Sequence, residues 1–162
     1  MLPQIRKILY ATDLSPNARH AFSYAVSIAD RCGAMITILH VVEEVPEGAK
    51  GLVEGIIGED RWEELKTRNE AKVLDTIKTR LEKFCDDVSE ELPACRSCVD
   101  EIKVILGYPA NQILSLAETG GFDMLVMGTH GHGMIADAMI GSTARRVLRR
   151  CTKPVLVIRL PE

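Results

Sequence analysis

Short apolar runs and amphipathic stretches alternate along the whole chain. Arg6–Thr12 is apolar at its centre, Ile8-Leu9-Tyr10-Ala11, with charge before it and Asp13 after it. A run without polar alternation is the signature of a strand buried on both faces. Ser15-Pro16 follows, an N-capping hydroxyl with proline at the first helical position. From about Asn17 to Arg31, Ala18, Ala21, Phe22, Ala25, Val26, Ile28 and Ala29 keep a helical spacing, and Gly33 ends the helix. Met35–Val42 predicts a second buried strand. Asp60–Glu90 predicts a long helix, because Leu74, Ile77, Leu81, Phe84 and Val88 advance by threes and fours. Pro93 closes it, and Cys98–Leu106 predicts a third strand. Gly107-Tyr108-Pro109 turns the chain into a helix over Ala110–Thr119, ended by Gly120-Gly121. Met124–Met127 predicts a fourth strand, Thr143–Arg150 a helix, and Pro154–Leu160 a fifth strand.

The pattern breaks between Glu43 and Glu59, where Gly48, Gly51, Gly55 and Gly58 interrupt Leu52-Val53 and Ile56-Ile57. A connection this long is usually functional or disordered. Residues 43–59 are expected to form a flexible glycine-rich insertion, whether a flap over a ligand, a plain linker or a subunit contact.

Strands that alternate with helices predict an α/β domain with a mainly parallel sheet and helices on both faces. In such sheets ligands bind beyond the C-terminal strand ends, where the strand order reverses. Two loops there carry suitable chemistry. One is Ala11-Thr12-Asp13 after the first strand; the other begins at Gly128 after the fourth. They share one crevice if strands one and four are neighbours.

Composition narrows the reading. At 162 residues one domain is expected over 1–162, and 46% hydrophobic residues suffice for a core. A net charge of −3 and 4% aromatic residues argue against nucleic acid as a partner. No run approaches the ~20 residues of a membrane span, and the first residues lack the apolar core of a signal peptide, so a cytoplasmic protein without membrane contact is expected. The five cysteines then read as reduced thiols. Cys32, Cys85 and Cys151 are expected to pack as small hydrophobes. Cys95-Arg96-Ser97-Cys98 is a lone CxxC that precedes a strand rather than opening a helix; incidental thiols and a redox-sensing pair both fit it.

The densest chemistry is Gly128-Thr129-His130-Gly131-His132-Gly133, followed by Gly141-Ser142-Thr143 at the start of a helix. Glycines let a backbone approach a ligand closely, and a helix N-terminus offers N–H groups and partial positive charge to phosphate. Strand, glycine loop and helix start together describe a nucleotide phosphate site. It is not a P-loop, since no lysine follows the glycines, and it is not a dinucleotide fingerprint, since Asp13-Leu14-Ser15-Pro16 follows the first strand. His130 and His132 belong to no zinc ligand set and read as loop histidines near phosphate. Arg145, Arg146, Arg149 and Arg150 read as a solvated face.

The spacing Gly128-x2-Gly131-x9-Gly141-Ser142 resembles the universal stress protein family. So do Lys7-Ile8-Leu9-Tyr10-Ala11-Thr12-Asp13 at the start and Lys153-Pro154-Val155-Leu156-Val157 at the end. The resemblance runs the length of the chain and implies a three-layer, doubly wound, five-stranded parallel sheet in the order 3-2-1-4-5. In that family the glycine pattern marks members that bind ATP, so ATP, with Mg²⁺ held mainly by its own oxygens and water, is the implied ligand. Gly128, Gly131 and Gly133 would wrap the ribose and phosphates. Gly141, Ser142 and Thr143 would donate N–H and hydroxyl groups to phosphate. Thr12 and Asp13 would meet the nucleoside, with Asp13 accepting from adenine or ribose, and Val41 would pack on adenine. Met127, Thr129, His130 and His132 complete the implied set. Ala11 stands where many ATP-binding relatives have proline, so its contact reduces to backbone. The resemblance also implies a homodimer through the last strand, with Val155, Val157 and Ile158 at the contact.

The function this implies is an ATP-binding regulatory or stress-response module, with at most slow hydrolysis or self-phosphorylation at Ser142 or Thr143. One alternative is an adenylating enzyme of the adenine nucleotide α-hydrolase-like class, although the Ser-Gly-Gly loop expected after strand one is missing. The other is a nucleotide-free protein-interaction module using residues 43–59 and the last strand.

Overall fold

Ile8, Leu9 and Tyr10 are each no more than 1% exposed. Such burial requires neighbours on both edges and cover on both faces. The computed structural model, which describes residues 1–15, 18–44, 47–129 and 140–159, supplies them. The strands β1 (Lys7–Ala11), β2 (Met35–Val42), β3 (Val99–Leu106), β4 (Met124–Gly128) and β5 (Val155–Ile158) form one sheet in the order β3-β2-β1-β4-β5. Every pairing is parallel. The connecting helices are α1 (Ala18–Cys32), α2 (Glu47–Ile57), α3 (Glu59–Glu91), α4 (Cys95–Cys98), α5 (Pro109–Thr119) and α6 (Ser142–Arg150).

Alternation along the strands divides the core in two. Ile8, Tyr10, Ile36, Ile38 and Val126 meet Phe22 and Val26 of α1 and Leu81 and Val88 of α3 on one face. Leu9, Leu39, Val41, Leu125 and Met127 meet Ile113 and Ala117 of α5 and Ala144 and Val147 of α6 on the other. Three layers result, and helices leave β1 and β4 on opposite faces. Among the described residues no helix is long and apolar enough to cross a membrane.

Element boundaries follow local chemistry. Gly33 takes φ 63 just past α1, as a helix-ending glycine should. Gly107 sits at φ 141, a conformation that side-chain-bearing residues rarely adopt, and a Cβ there would stand 2.6 Å from Gln112 Nε2 and displace that side chain. At the opposite end of the sheet from the strands' C-termini, Asp123 Oδ2 accepts the Arg6 and Lys7 N–H groups, each at 2.9 Å. These two bonds hold its carboxyl below the ordinary value.

Several expectations need correction. Within residues 43–59, Glu47–Ile57 is a helix. Its glycines weaken helix propensity, yet the helix forms, with Val53 and Ile57 one turn apart and half-buried and α3 following directly after Gly58. Leu52 and Ile56 on the same helix are 72% and 80% exposed. β3 begins one residue later than expected, because Cys95–Cys98 forms a helical turn. β5 is shorter than Pro154–Leu160, and Leu160 lies outside the described residues. Cys32 is exposed rather than packed, while Cys95 and Cys98 are buried.

Only the C-terminal half of α3 is docked on the core: Leu81 and Val88 are buried, whereas Leu65 and Val73 are 40% and 43% exposed. Leu81→Ala is therefore expected to cost about 2–5 kcal/mol and Val73→Ala under about 0.5 kcal/mol, measured by urea unfolding. A second prediction concerns Asp123. Its carboxyl has a lowered folded value, so its contribution is present above the ordinary 3.8 and fades as pH falls through the folded value. Asp123→Ala should destabilise by about 1 kcal/mol at pH 7, a figure reduced for solvent screening. The difference from the native protein should shrink toward pH 3.

Candidate functional site

β1 stops before its neighbours. Its last residue, Ala11, lies opposite Leu39 of β2 and Met127 of β4, and Thr12 N–H adds one more bond, to Leu39 O at 2.9 Å. β2 continues through His40, Val41 and Val42, paired with β3. β4 reaches Gly128, paired with β5. The shortfall leaves a notch at the C-terminal edge of the sheet, at the point where the strand order reverses. A cavity of about 670 Å³ occupies it, a size typical of small-molecule sites.

The cavity brings together Ala11, Thr12 and Asp13 from the first loop, Val41 and Met127 from strand ends, and Gly128, Thr129, Gly141, Ser142 and Thr143. His130, Gly131, His132 and Gly133 lie outside the described residues. Two separate sequence signatures thus meet in one place.

The first wall is a bonded turn. Leu14 N–H donates to Thr12 Oγ1 at 3.2 Å, and Ser15 N–H donates to Asp13 Oδ1 at 3.0 Å. Ala18 N–H, the first of α1, donates to Ser15 O at 3.0 Å. Asp13 therefore shapes the approach to α1 as an Asx turn while lining the cavity. Leu14 adopts φ 60, a left-handed conformation unusual for a bulky residue. Its side chain packs on the first core, which holds the turn in place. Tyr10 OH donates to Ala18 O at 2.8 Å, fastening the start of α1 to β1. Burial pushes its phenol well above the ordinary value.

The second wall is the start of α6. Arg145 N–H donates to Gly141 O at 2.9 Å. The amides of Ser142, Thr143 and Ala144 accordingly lie in the first turn, where no intrahelical acceptor exists. Gly141 N–H donates to Thr129 O at 2.7 Å, so the expected Gly141 amide contact to phosphate is corrected. Gly141 also has φ −57 and ψ 159, open to any residue. The dihedrals therefore do not demand glycine there. Arg145 Nη2 donates to Ile140 O at 3.2 Å, back onto its own loop.

Sequence reasoning missed His40, Ser15, Pro109 and Ile113, which also line the cavity. His40 has a signal in hindsight: it is a polar ring inside the apolar run Met35–Val42, at the end that outlasts β1.

The cysteines stand apart from this site. Cys95 and Cys98 pack in the first core with Cys85 beside them. Burial pushes the Cys85 thiol to about 12 and the Cys98 thiol to about 11, and raises Cys95. These are poor nucleophiles. In the folded protein at pH 7.5, iodoacetamide is expected to modify exposed Cys32 well before Cys95 or Cys98, followed by peptide mass spectrometry. Labelling of the CxxC pair at the Cys32 rate would contradict this burial.

A family model described as the universal stress protein family matches residues 4–159. The chain belongs to the universal stress protein family. Among relatives, it is 28% identical over 158 residues to universal stress protein MJ0577 of Methanocaldococcus jannaschii, covering 95% of this chain and 94% of that one. It is 31% identical over 155 residues to a universal stress protein of Thermus aquaticus, covering 95% and 98%. The solved MJ0577 structure superposes with a TM-score of 0.76 at 25% identity over 99% of both chains. A universal stress protein solved in complex with cAMP shares the fold, with a TM-score of 0.59 at 18% identity over 97% and 98%.

Proposed function

We propose that the notch beyond β1 binds an adenine nucleotide, ATP with Mg²⁺ foremost, and that the protein works as a nucleotide-responsive regulatory or stress-response module. The observation that carries this reading is the meeting of the Thr12–Asp13 turn and the Gly128…Gly141-Ser142-Thr143 segment around one cavity. The polar turn suits a ribose or a base edge, Val41 and Met127 offer apolar surface to a base, and the first turn of α6 suits phosphate. Gly131 and Gly133 would complete the phosphate wrap, with His130 and His132 beside it.

The donor set also fits a metal-accompanied triphosphate. Mg²⁺ would ride on phosphate oxygens and water, with Asp13 and Glu43 among the carboxylates lining the cavity. Among the described lining residues there is no lysine or arginine. That favours holding a nucleotide over rapid phosphoryl transfer, for which charged groups aimed at the γ-phosphate are the usual means.

The same reading includes a homodimer. β5 is an outer strand of the sheet, so the Val155–Ile158 edge is available for pairing across a two-fold axis. A cytoplasmic location, with the 1–162 chain acting as one domain, completes the proposal.

Calorimetry with ATP, AMP, cAMP and GTP tests the site. ATP should bind, and Gly141→Val should weaken it at least about tenfold by filling space near phosphate. Valine tolerates φ −57 and ψ 159, so circular dichroism should show the variant folded. Binding of no nucleotide, or a Gly141→Val variant that binds ATP as the native protein does, would overturn the proposal.

A further inference from the structure

The Thr12 backbone is gripped twice by β2. Its N–H donates to Leu39 O at 2.9 Å, and its carbonyl oxygen lies 2.8 Å from His40 Nδ1. A carbonyl oxygen only accepts, so this contact is a hydrogen bond with the proton on Nδ1. Two successive residues of β2 therefore hold the two polar groups of one residue of the turn, just where β1 has no further strand pairing of its own.

This matters because of what the bonded carbonyl belongs to. Thr12 C=O and Asp13 N–H share one planar trans peptide and point in opposite directions. Fixing the carbonyl fixes the amide, and with it the origin of the Asp13 side chain that lines the cavity. The turn is also held by Leu14 N–H to Thr12 Oγ1 and Ser15 N–H to Asp13 Oδ1, but neither of these two bonds is made by the Thr12–Asp13 peptide group itself. The segment has no proline, and Leu14 already sits in the left-handed region at φ 60, a conformation that persists only where its surroundings enforce it. A flip of the Thr12–Asp13 peptide would turn a carbonyl toward the place where the amide now stands.

We propose that His40 is a positioning residue: through Nδ1–H it clamps the Thr12–Asp13 peptide in the orientation that the cavity requires. Its consequence for ligand affinity rests on the nucleotide reading above; the clamp itself does not.

The test therefore has two parts. On nucleotide-free protein, long-range ¹H–¹⁵N correlation reads the His40 tautomer, and amide hydrogen exchange reads Asp13, Leu14 and Ser15. The variants are His40→Asn, whose side-chain amide nitrogen can occupy the place of Nδ1, together with His40→Gln and His40→Phe, which cannot supply a donor there. Nδ1 should carry the proton in the native protein. His40→Asn should keep exchange and ATP affinity close to native. His40→Gln and His40→Phe should speed exchange in the turn and weaken ATP binding about tenfold, the effect of one lost hydrogen bond of this kind. A proton found on Nε2 with Nδ1 bare would overturn the clamp, as would His40→Phe behaving like the native protein or His40→Asn failing like His40→Phe. Native protein that binds no nucleotide but shows the expected tautomer and exchange would overturn the nucleotide reading and support the clamp.

Discussion

The early end of β1 governs the rest of this molecule. A central parallel strand must be apolar because both faces are covered, and Ile8, Leu9 and Tyr10 meet that demand. Yet once Ala11 is reached the run gives way to Thr12 and Asp13, while the flanking strands continue with partners of their own. Main-chain groups at the sheet's C-terminal edge are thus left beside open space. Because the helices that follow β1 and β4 leave on opposite faces, neither fills that space.

The walls of the notch are then set by short-range bonding. On one side, an Asx turn, a threonine hydroxyl and the ring of His40 tie down a four-residue bend. On the other, the Gly141–Thr129 bond draws the two ends of the glycine loop together and presents the first turn of α6. Few of these contacts contribute much to stability singly. Their common effect is directional: they fix how the backbone of the two walls is oriented.

Much of this was legible in the sequence because the governing signals are local. The apolar runs of β1, β2 and β4, the stripe on α3 and the glycines after α1 and α5 each follow from periodicity or backbone geometry within a few residues. The grouping of Asp13 with Gly141 and Ser142 was legible through the strand order that the family resemblance implies, which sets strand one beside strand four. What escaped was long-range. α2 was hidden because its glycines speak against a helix. His40 was hidden because its partner, the Thr12 carbonyl, lies 28 residues away and a backbone oxygen leaves no mark in a sequence. Cys32 looked like a core thiol because it ends an amphipathic helix, but α1 has already turned its last residue outward.

The central claim is spatial: one ligand is held between the strand-one turn and the start of α6. Amide chemical-shift mapping of ¹⁵N-labelled protein titrated with Mg²⁺–ATP tests it most directly. The account predicts perturbations at Thr12, Asp13, Val41, Gly128, Ser142 and Thr143 that saturate together. Saturable shifts confined to another face of the sheet, or none at all, would contradict it.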